Sequence, residues 1–427
     1  IPIKNIFIFS DNGIYFSIVS GYYNSININN YSKGGFKNMD IINNLKEQFK
    51  EIFKKDSENV FFSPGRVNLI GEHTDYNGGN VFPCALTIGT YGLIAKRDDN
   101  KCFVNSLNFE DLGTIEFDLK DLVNDKIHDW ANYPKGVIKT FEDHGFKTSH
   151  GFDILFFGNI PNGSGLSSSA SLEVLMGCIL NESFGFNIDM VEIVKMCQEA
   201  ENKFIGVNCG IMDQFAIGMG KENCAILLDC NTLNYSYSKL DMDGCKIVIG
   251  NTNKKRGLAD SKYNERRSEC EAALKEIQAV KNISSLGELT EEEFEAVKSN
   301  ISDPIKVKRA KHAVYENQRT LKAVNALENN DLALFGQLMN ASHVSLRDDY
   351  EVTGIELDTL VSLAWECEGV IGARMTGAGF GGCTVSIVKE ECVDNFISTI
   401  TPKYAEKIGY EPSFYIVSIS DGTRKLS

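Results

Sequence analysis

Residues Pro161–Leu172 read PNGSGLSSSASL, between an apolar run at 152–158 (FDILFFG) and a helical stretch from about Ser171 to Phe184. A strand that runs through a glycine-serine loop into a helix offers free backbone N–H groups and a helix N-terminus to an anion. Gly163 and Gly165 let a ligand approach the backbone and permit positive φ. Ser167, Ser168 and Ser169 add hydroxyls suited to phosphate oxygens or a Mg²⁺ shell. One serine is accounted for by a helix cap; three in succession are more than a cap needs. No Lys-Ser or Lys-Thr follows the glycines, so the loop is not a Walker A sequence. The chain also lacks H-R-D and D-F-G, which excludes the protein-kinase set.

Outward from this loop, strand and helix patterns alternate. Residues 60–64, 80–96, 224–230 (CAILLDC) and 245–250 (CKIVIG) read as strands, and 189–205 as a helix. A long, mainly helical region covers roughly 261–345 and carries the acidic run ELTEEEFEA. Residues 369–388 read as strand, glycine-rich turn, strand. No internal repeat or low-complexity linker is visible. The pattern predicts an α+β fold of two lobes with a boundary near 230–250, which divides the chain into 39–240 and 241–427.

The 427 residues suffice for two or three domains, and 43% hydrophobic with 24% charged residues is a globular composition. Lys+Arg is 43 against Asp+Glu 58, a formal net charge of −15, which argues against nucleic acid or an anionic membrane as partner. No stretch approaches the ~20 apolar residues of a membrane span. Twelve cysteines occur without a C-x-x-C pair. Several, such as Cys178, Cys197 and Cys245, sit in apolar runs, as reduced thiols of a cytoplasmic protein would.

Residues 1–38 stand apart. They hold eight Ile, seven Asn and only four charged residues (Lys4, Asp11, Lys33, Lys37), without helical or strand period. No small-residue cleavage site follows a clean apolar core, so they do not form a signal peptide. Met39 opens an amphipathic helix, with Ile42, Leu45, Phe49 and Phe53 at helical spacing. Translation is therefore expected to start at Met39, leaving 1–38 as a non-native or disordered extension.

A second cluster precedes the loop. Ser63–Gly79 reads SPGRVNLIGEHTDYNGG and places Arg66, Glu72, His73 and Asp75 within ten residues. Carboxylates beside imidazole suit a ligand covered in hydroxyls. Arg66 could polarise a reacting oxygen or pair with a catalytic carboxylate. Two plainer readings stay open: His73 as a hydrogen-bonded core residue, and Asp75 as a turn residue ahead of Asn77-Gly78-Gly79.

GRVNLIGEHTDYNGG (65–79) resembles the galactokinase signature of the GHMP kinase superfamily. PNGSGLSSSASLEV (161–174) is similar to that superfamily's phosphate-binding motif, and GARMTGAGFGGCTV (372–385) to its C-terminal glycine-rich motif. NCGIMDQF (208–215) and HVSLRDDYEV (343–352) also look like galactokinase segments. The resemblance runs from Met39 almost to the C-terminus. The second and third motifs are shared with mevalonate and homoserine kinases; the first is more specific.

The resemblance implies an N-terminal lobe like ribosomal protein S5 domain 2 and a ferredoxin-like C-terminal lobe. It implies transfer of the γ-phosphoryl group of ATP to the anomeric hydroxyl of α-D-galactose, with Mg²⁺, in a monomer or weak oligomer. Asp213 would be the proton acceptor and Arg66 the stabiliser of the transferring phosphoryl group. Glu72, His73, Asp75, Gly210 and Tyr263 would join them around the sugar. Gly163, Ser164, Gly165, Leu166, Ser167, Ser168 and Ser169 would hold the nucleotide phosphates, and Ser169 and Glu201 the Mg²⁺. Gly377, Gly379, Gly381 and Gly382 would turn over the cleft. A kinase for N-acetylgalactosamine or a related sugar is the near alternative. A non-catalytic galactose sensor is the other, and it would be expected to lack part of the Ser169-Ala170 loop.

Overall fold

The computed structural model describes residues 38–161, 165–240, 242, 244–254 and 259–427. The chain divides into two compact units, Ile1–Ile41 and Ile42–Ser427. The described part of the first is the opening turn of the helix Asn38–Phe53. The expectation for residues 1–38 otherwise lies outside the described residues. The helix expected from Met39 is present, with Leu45 and Phe49 buried.

The strands are β1 (Asn59–Asn68), β2 (Asn80–Val81), β3 (Pro83–Lys96), β4 (Lys101–Ser106), β5 (Ile115–Asp118), β6 (Phe152–Gly158), β7 (Cys224–Asp229), β8 (Tyr235–Lys239), β9 (Cys245–Asn251), β10 (Val370–Thr376), β11 (Cys383–Lys389), β12 (Ser413–Val417) and β13 (Arg424–Lys425). They form three sheets, ordered β13-β1-β3-β6-β4-β5, β10-β11-β9-β12 and β2-β7-β8. Every pairing is antiparallel except β4 with β6. The α+β expectation holds. The short last strand returns the chain to β1, pairing Phe61 and Phe62 with Lys425 and Arg424.

Two features of this frame aim the site. The β1–β3 register, regular from Asn59↔Ile94, shifts between Pro64 and Arg66. Such irregularities re-aim a side chain, here Arg66. The helix Ser168–Phe184 is the second. It starts three residues earlier than the sequence suggested, because Ser167 takes a left-handed backbone (φ 62°) and turns the loop directly into the helix. Val174, Leu175, Met176, Ile179 and Leu180 on it are fully buried. A helix apolar on nearly all sides is a core helix, and each such side chain contributes roughly 1.5–3 kcal/mol on burial. Its N-terminus is therefore fixed by the core and cannot drift with its ligand.

That core lies between the first sheet and the helices Asn132–Asp143, Ser168–Phe184 and Met190–Ala200. A second core joins Val67, Phe82 and Leu86 of the N-terminal part to Ile247, Ile249, Val385 and Ile387 of the C-terminal sheet. The long helical region resolves into Ala259–Gln278, Glu291–Val297, Pro304–Glu328 and Leu332–Asp348. All twelve cysteines are free thiols.

Candidate active site

A cavity of about 440 Å³ opens where β1, the start of the helix Ser168–Phe184, the helix Met212–Met219 and the turn after β10 meet. At its centre Arg66 and Asp213 form a bidentate pair. Arg66 Nε and Nη2 donate to Asp213 Oδ1 and Oδ2 at 2.9 and 3.1 Å, and Nη1 donates to the Gly165 carbonyl at 2.6 Å. The Arg66 side chain is 4% exposed and that of Asp213 31%. Burial alone would lower the Arg66 pKa, but Asp213, Glu72 and Asp75 outweigh it and raise it. The guanidinium is thus locked in its charged form. The Ser167 hydroxyl also donates to Asp213 Oδ2. Ser167 thus helps fix the carboxylate while lining the same cavity as the rest of the serine loop.

The residues of the 65–79 segment line one side. Glu72 is 1% exposed, with Oε1 accepting from the Gly377 N–H at 2.7 Å and the Thr376 hydroxyl at 3.0 Å. Asp75 begins a short 3₁₀ turn, Asp75–Asn77, and its carboxylate lies against Gly210. A Cβ on Gly210 would collide with the Asp75 carboxylate, so any side chain there displaces Asp75. Burial, then repulsion from Asp213, pushes Asp75 up to about 7. His73 is 4% exposed; its Nδ1 bonds the Tyr76 hydroxyl at 2.8 Å. Its Nε2 is buried, and the Ala378 backbone also bonds the ring. Burial, then the charge of His312, lowers His73 to about 3, so the imidazole is neutral at ordinary pH. Tyr263 packs edge-on to Tyr76 and tilted to His73, with ring centroids 5.4 and 5.6 Å away, and faces the cavity. His73 and Asp75 are each built into the local fold, and each lines the cavity.

The other side is the start of the helix Ser168–Phe184. Gly165, Ser167, Ser168 and Ser169 line it. Leu166 does not present its side chain there: it is fully buried in the core, and its carbonyl accepts from the Arg66 N–H at 3.2 Å. Gly163 and Ser164 lie outside the described residues. Gly377 (φ 84°) packs on this loop, since a Cβ there would come 2.9 Å from the Gly165 carbonyl.

Glu201 ends the helix Met190–Ala200 and is 7% exposed, whereas Glu199 on the outer face bonds His144 and Lys203. Glu201 Oε2 accepts from Gln214 Nε2 at 2.6 Å and the Cys209 thiol at 3.3 Å, and Ser169 also bonds its carboxylate. Behind it lies Glu173, fully buried and bonded to the same Gln214 nitrogen at 3.0 Å. Burial, then the neighbouring Glu201, holds Glu173 well above the carboxylate range. Among the described residues no group of three or more His, Cys, Asp or Glu could hold a metal ion by itself. The Ser169 and Glu201 oxygens converge beside the glycine-serine loop, a donor set that fits Mg²⁺, which takes few protein oxygens.

The sequence reading missed the support behind these groups. Tyr350 bonds the Tyr76 hydroxyl at 2.7 Å and so completes a chain to His73. Gln214 and Glu173 back Glu201, and Arg374 and Thr376 back Glu72. All five lie inside the quoted motifs, and that membership is the one signal in the sequence that could have flagged them.

Residues 132–221 match the family described as GHMP kinases N terminal domain, 47–96 the galactokinase galactose-binding signature, and 323–405 GHMP kinases C terminal. The chain is 78% identical over 388 residues to a galactokinase of Clostridium beijerinckii, covering 91% of this chain and 100% of that one. It is 56% identical over 387 residues to a galactokinase of Bacillus subtilis, with 90% and 99% covered. Among solved structures, Lactococcus lactis galactokinase complexed with galactose superposes with a TM-score of 0.89 at 51% identity, over 90% of this chain and 100% of that one. A mevalonate kinase of Methanococcus jannaschii superposes with a TM-score of 0.60 at 19% identity, over 85% and 98%, a likeness of fold.

Proposed function

We propose a mechanism on the premise that the chain belongs to the galactokinase family of the GHMP kinases: it transfers the γ-phosphoryl group of ATP to galactose, giving galactose 1-phosphate and ADP. The observation that carries the mechanism is the Arg66–Asp213 pair. It stands between the hydroxyl-accepting residues of β1 and its turn and the serine-rich helix start, in one cavity.

Asp213 accepts the proton of the anomeric hydroxyl and holds its oxygen in line for attack. Arg66 and Ser167 keep the carboxylate in one orientation, so that alignment is built in before substrate arrives. The Arg66 charge faces the transferring phosphoryl group, where a loose transition state spreads negative charge over the equatorial oxygens. Glu72, His73, Asp75, Gly210 and Tyr263 enclose the sugar. His73 backs this wall, its ring set against Tyr263 and the Ala378 backbone. The helix start from Gly165 to Ser169 receives the phosphates through backbone N–H groups and hydroxyls. Ser169 and Glu201 would hold Mg²⁺, which supplies charge neutralisation on the phosphate oxygens. Residues 39–240 carry most of these groups, and 241–427 contribute Tyr263 and the turn at Gly377. The free thiols fit the cytoplasm. No helix among the described residues is long and apolar enough to cross a membrane. A monomer or weak oligomer suffices, because every proposed group comes from one chain.

A coupled ADP-release assay across galactose, N-acetylgalactosamine and their epimers tests the reading. Turnover highest with galactose is expected. Preference for the N-acetyl sugar would reassign the substrate, and no ADP release with any sugar would leave a sensor. Gly210→Ala tests the sugar side separately. Its methyl group must displace Asp75, so the KM for galactose should rise about tenfold, roughly one lost hydrogen bond to a charged group. The KM for ATP should change less than twofold on that same scale. Equal changes in both constants would place Gly210 outside the sugar site.

A further inference from the structure

Thr376 ends β10, the edge strand of the C-terminal sheet, just before the glycine turn. Its side chain is 1% exposed and reaches back to the first sheet. Three groups of this strand end converge on one atom, Glu72 Oε1: the Gly377 N–H at 2.7 Å, the Thr376 hydroxyl at 3.0 Å and Arg374 Nη2 at 3.4 Å. Among the described residues no hydrogen bond reaches the other oxygen, Oε2, and Glu72 lines the cavity. The carboxylate is thus divided into a held oxygen and an open one.

The Thr376 hydroxyl has one proton and two candidate acceptors. Its oxygen accepts from the Asn68 N–H at 3.3 Å, and the Asn68 carbonyl lies 3.1 Å away. That carbonyl already accepts from Arg374 Nη1 at 2.8 Å. The carboxylate is the stronger acceptor, so the proton goes to Glu72. Arg374 is fully buried and its Nε makes no hydrogen bond. It supplies charge close to Glu72 but poor direction, which leaves Thr376 and Gly377 to set the angle.

We propose that Thr376 is a positioning residue: it holds Glu72 Oε1 so that Oε2 alone meets one hydroxyl of the sugar, making the C-terminal strand a determinant of sugar selectivity. This rests on Glu72 contacting the sugar, as proposed above. Thr376→Val keeps the shape and removes the donor; Thr376→Ser keeps the donor. The full-length enzyme and both variants are assayed with galactose and a set of monodeoxy-galactoses, alongside Glu72→Gln and a melt of each protein. In wild type, each ratio of kcat/KM for galactose to that for a deoxy sugar reports how strongly one hydroxyl is read. Glu72→Gln should collapse one ratio and so identify the hydroxyl. Thr376→Val should lower that same ratio, raise the galactose KM about tenfold, and leave the other ratios and the ATP KM in place; Thr376→Ser should restore it. If Glu72→Gln collapses one ratio and Thr376→Val lowers none, or lowers all alike with the melt, the proposal is overturned while the Glu72 reading stands. If Glu72→Gln leaves every ratio unchanged, both fall.

Discussion

Asp213→Ala slows phosphorylation of galactose at least ~100-fold, the usual scale for losing a general base, while MgATP still binds. The expectation comes from what Asp213 touches. Two arginine N–H groups and one hydroxyl converge on its carboxylate. These partners hold it against the cavity and leave it little freedom to act elsewhere. Removing it leaves the Arg66 guanidinium with one partner, the Gly165 carbonyl. Breaking a buried pair from one side costs about 3–5 kcal/mol; the partly exposed Asp213 edge admits water and reduces that figure. Some loss of Tm therefore accompanies the alanine variant. Asp213→Asn preserves the shape and retains one acceptor for Arg66, so it separates chemistry from folding. Both variants should lose turnover, with the asparagine variant melting closer to wild type. Single-turnover rates, MgATP titration calorimetry and thermal melts measure the three quantities. Near-normal turnover in a folded Asp213→Asn would remove proton acceptance from the mechanism and leave alignment of the hydroxyl by other groups.

The part of this site that could be read from sequence is the part written in contiguous residues. Arg66, Glu72, His73 and Asp75 lie on one strand and the turn after it, so a short motif carries them to one cavity wall. The three serines announce themselves by repetition, and the strand before them by its apolar run. What stayed hidden depends on long-range closure. β4, β5 and the helix Asn132–Asp143 are a different case: Ile115 and Phe117 alternate with exposed residues and the helix is amphipathic, so their periods were present in the sequence and were overlooked. Asp213 to Arg66 spans 147 residues and Thr376 to Glu72 spans 304. No local pattern in either segment encodes its partner. The serine loop shows the same limit at close range. Sequence assigns its hydroxyls to phosphate, but Ser167 lies within reach of Asp213 only because its φ is 62°. That is a property of the folded turn. Glu201 likewise reads as solvent-facing on a polar helix end until the chain after it folds Gln214 and Cys209 over it.

Asp75→Ala raises the KM for galactose at least ~10-fold, about 1.4 kcal/mol, while the KM for ATP moves little. A carboxylate can accept from two hydroxyls at once, and one left buried without partners is costly. The free site already shows that cost: burial, then Asp213, raises Asp75 from 3.8 to about 7. A carboxyl whose folded pKa is raised retains a proton that the unfolded chain has released. Its contribution to stability is therefore present below about 3.8 and is lost as pH rises towards 7. Asp75→Asn should cancel this slope, so its Tm should gain on that of wild type between pH 5 and pH 8. Sugar hydroxyls favour the ionised carboxylate, so they should bind better as pH rises through 7. The wild-type galactose KM should then fall several-fold from pH 6 to pH 8, approaching tenfold per unit well below the pKa. In Asp75→Asn it should stay flat. The competing role is a brace for the Asn77-Gly78-Gly79 turn: Gly78 N–H donates to the Asp75 carbonyl at 3.3 Å, and the Asp75 carboxylate accepts from the Tyr76 N–H. Alanine keeps the first bond and loses the second, while asparagine keeps an acceptor for both, so a brace predicts a loss of Tm confined to Asp75→Ala and parallel changes in both KM values. Measuring both constants and the melt at three pH values on each variant separates the two. An unchanged galactose KM in stably folded Asp75→Ala would sink the sugar contact, because nothing else ties this carboxylate to the reaction.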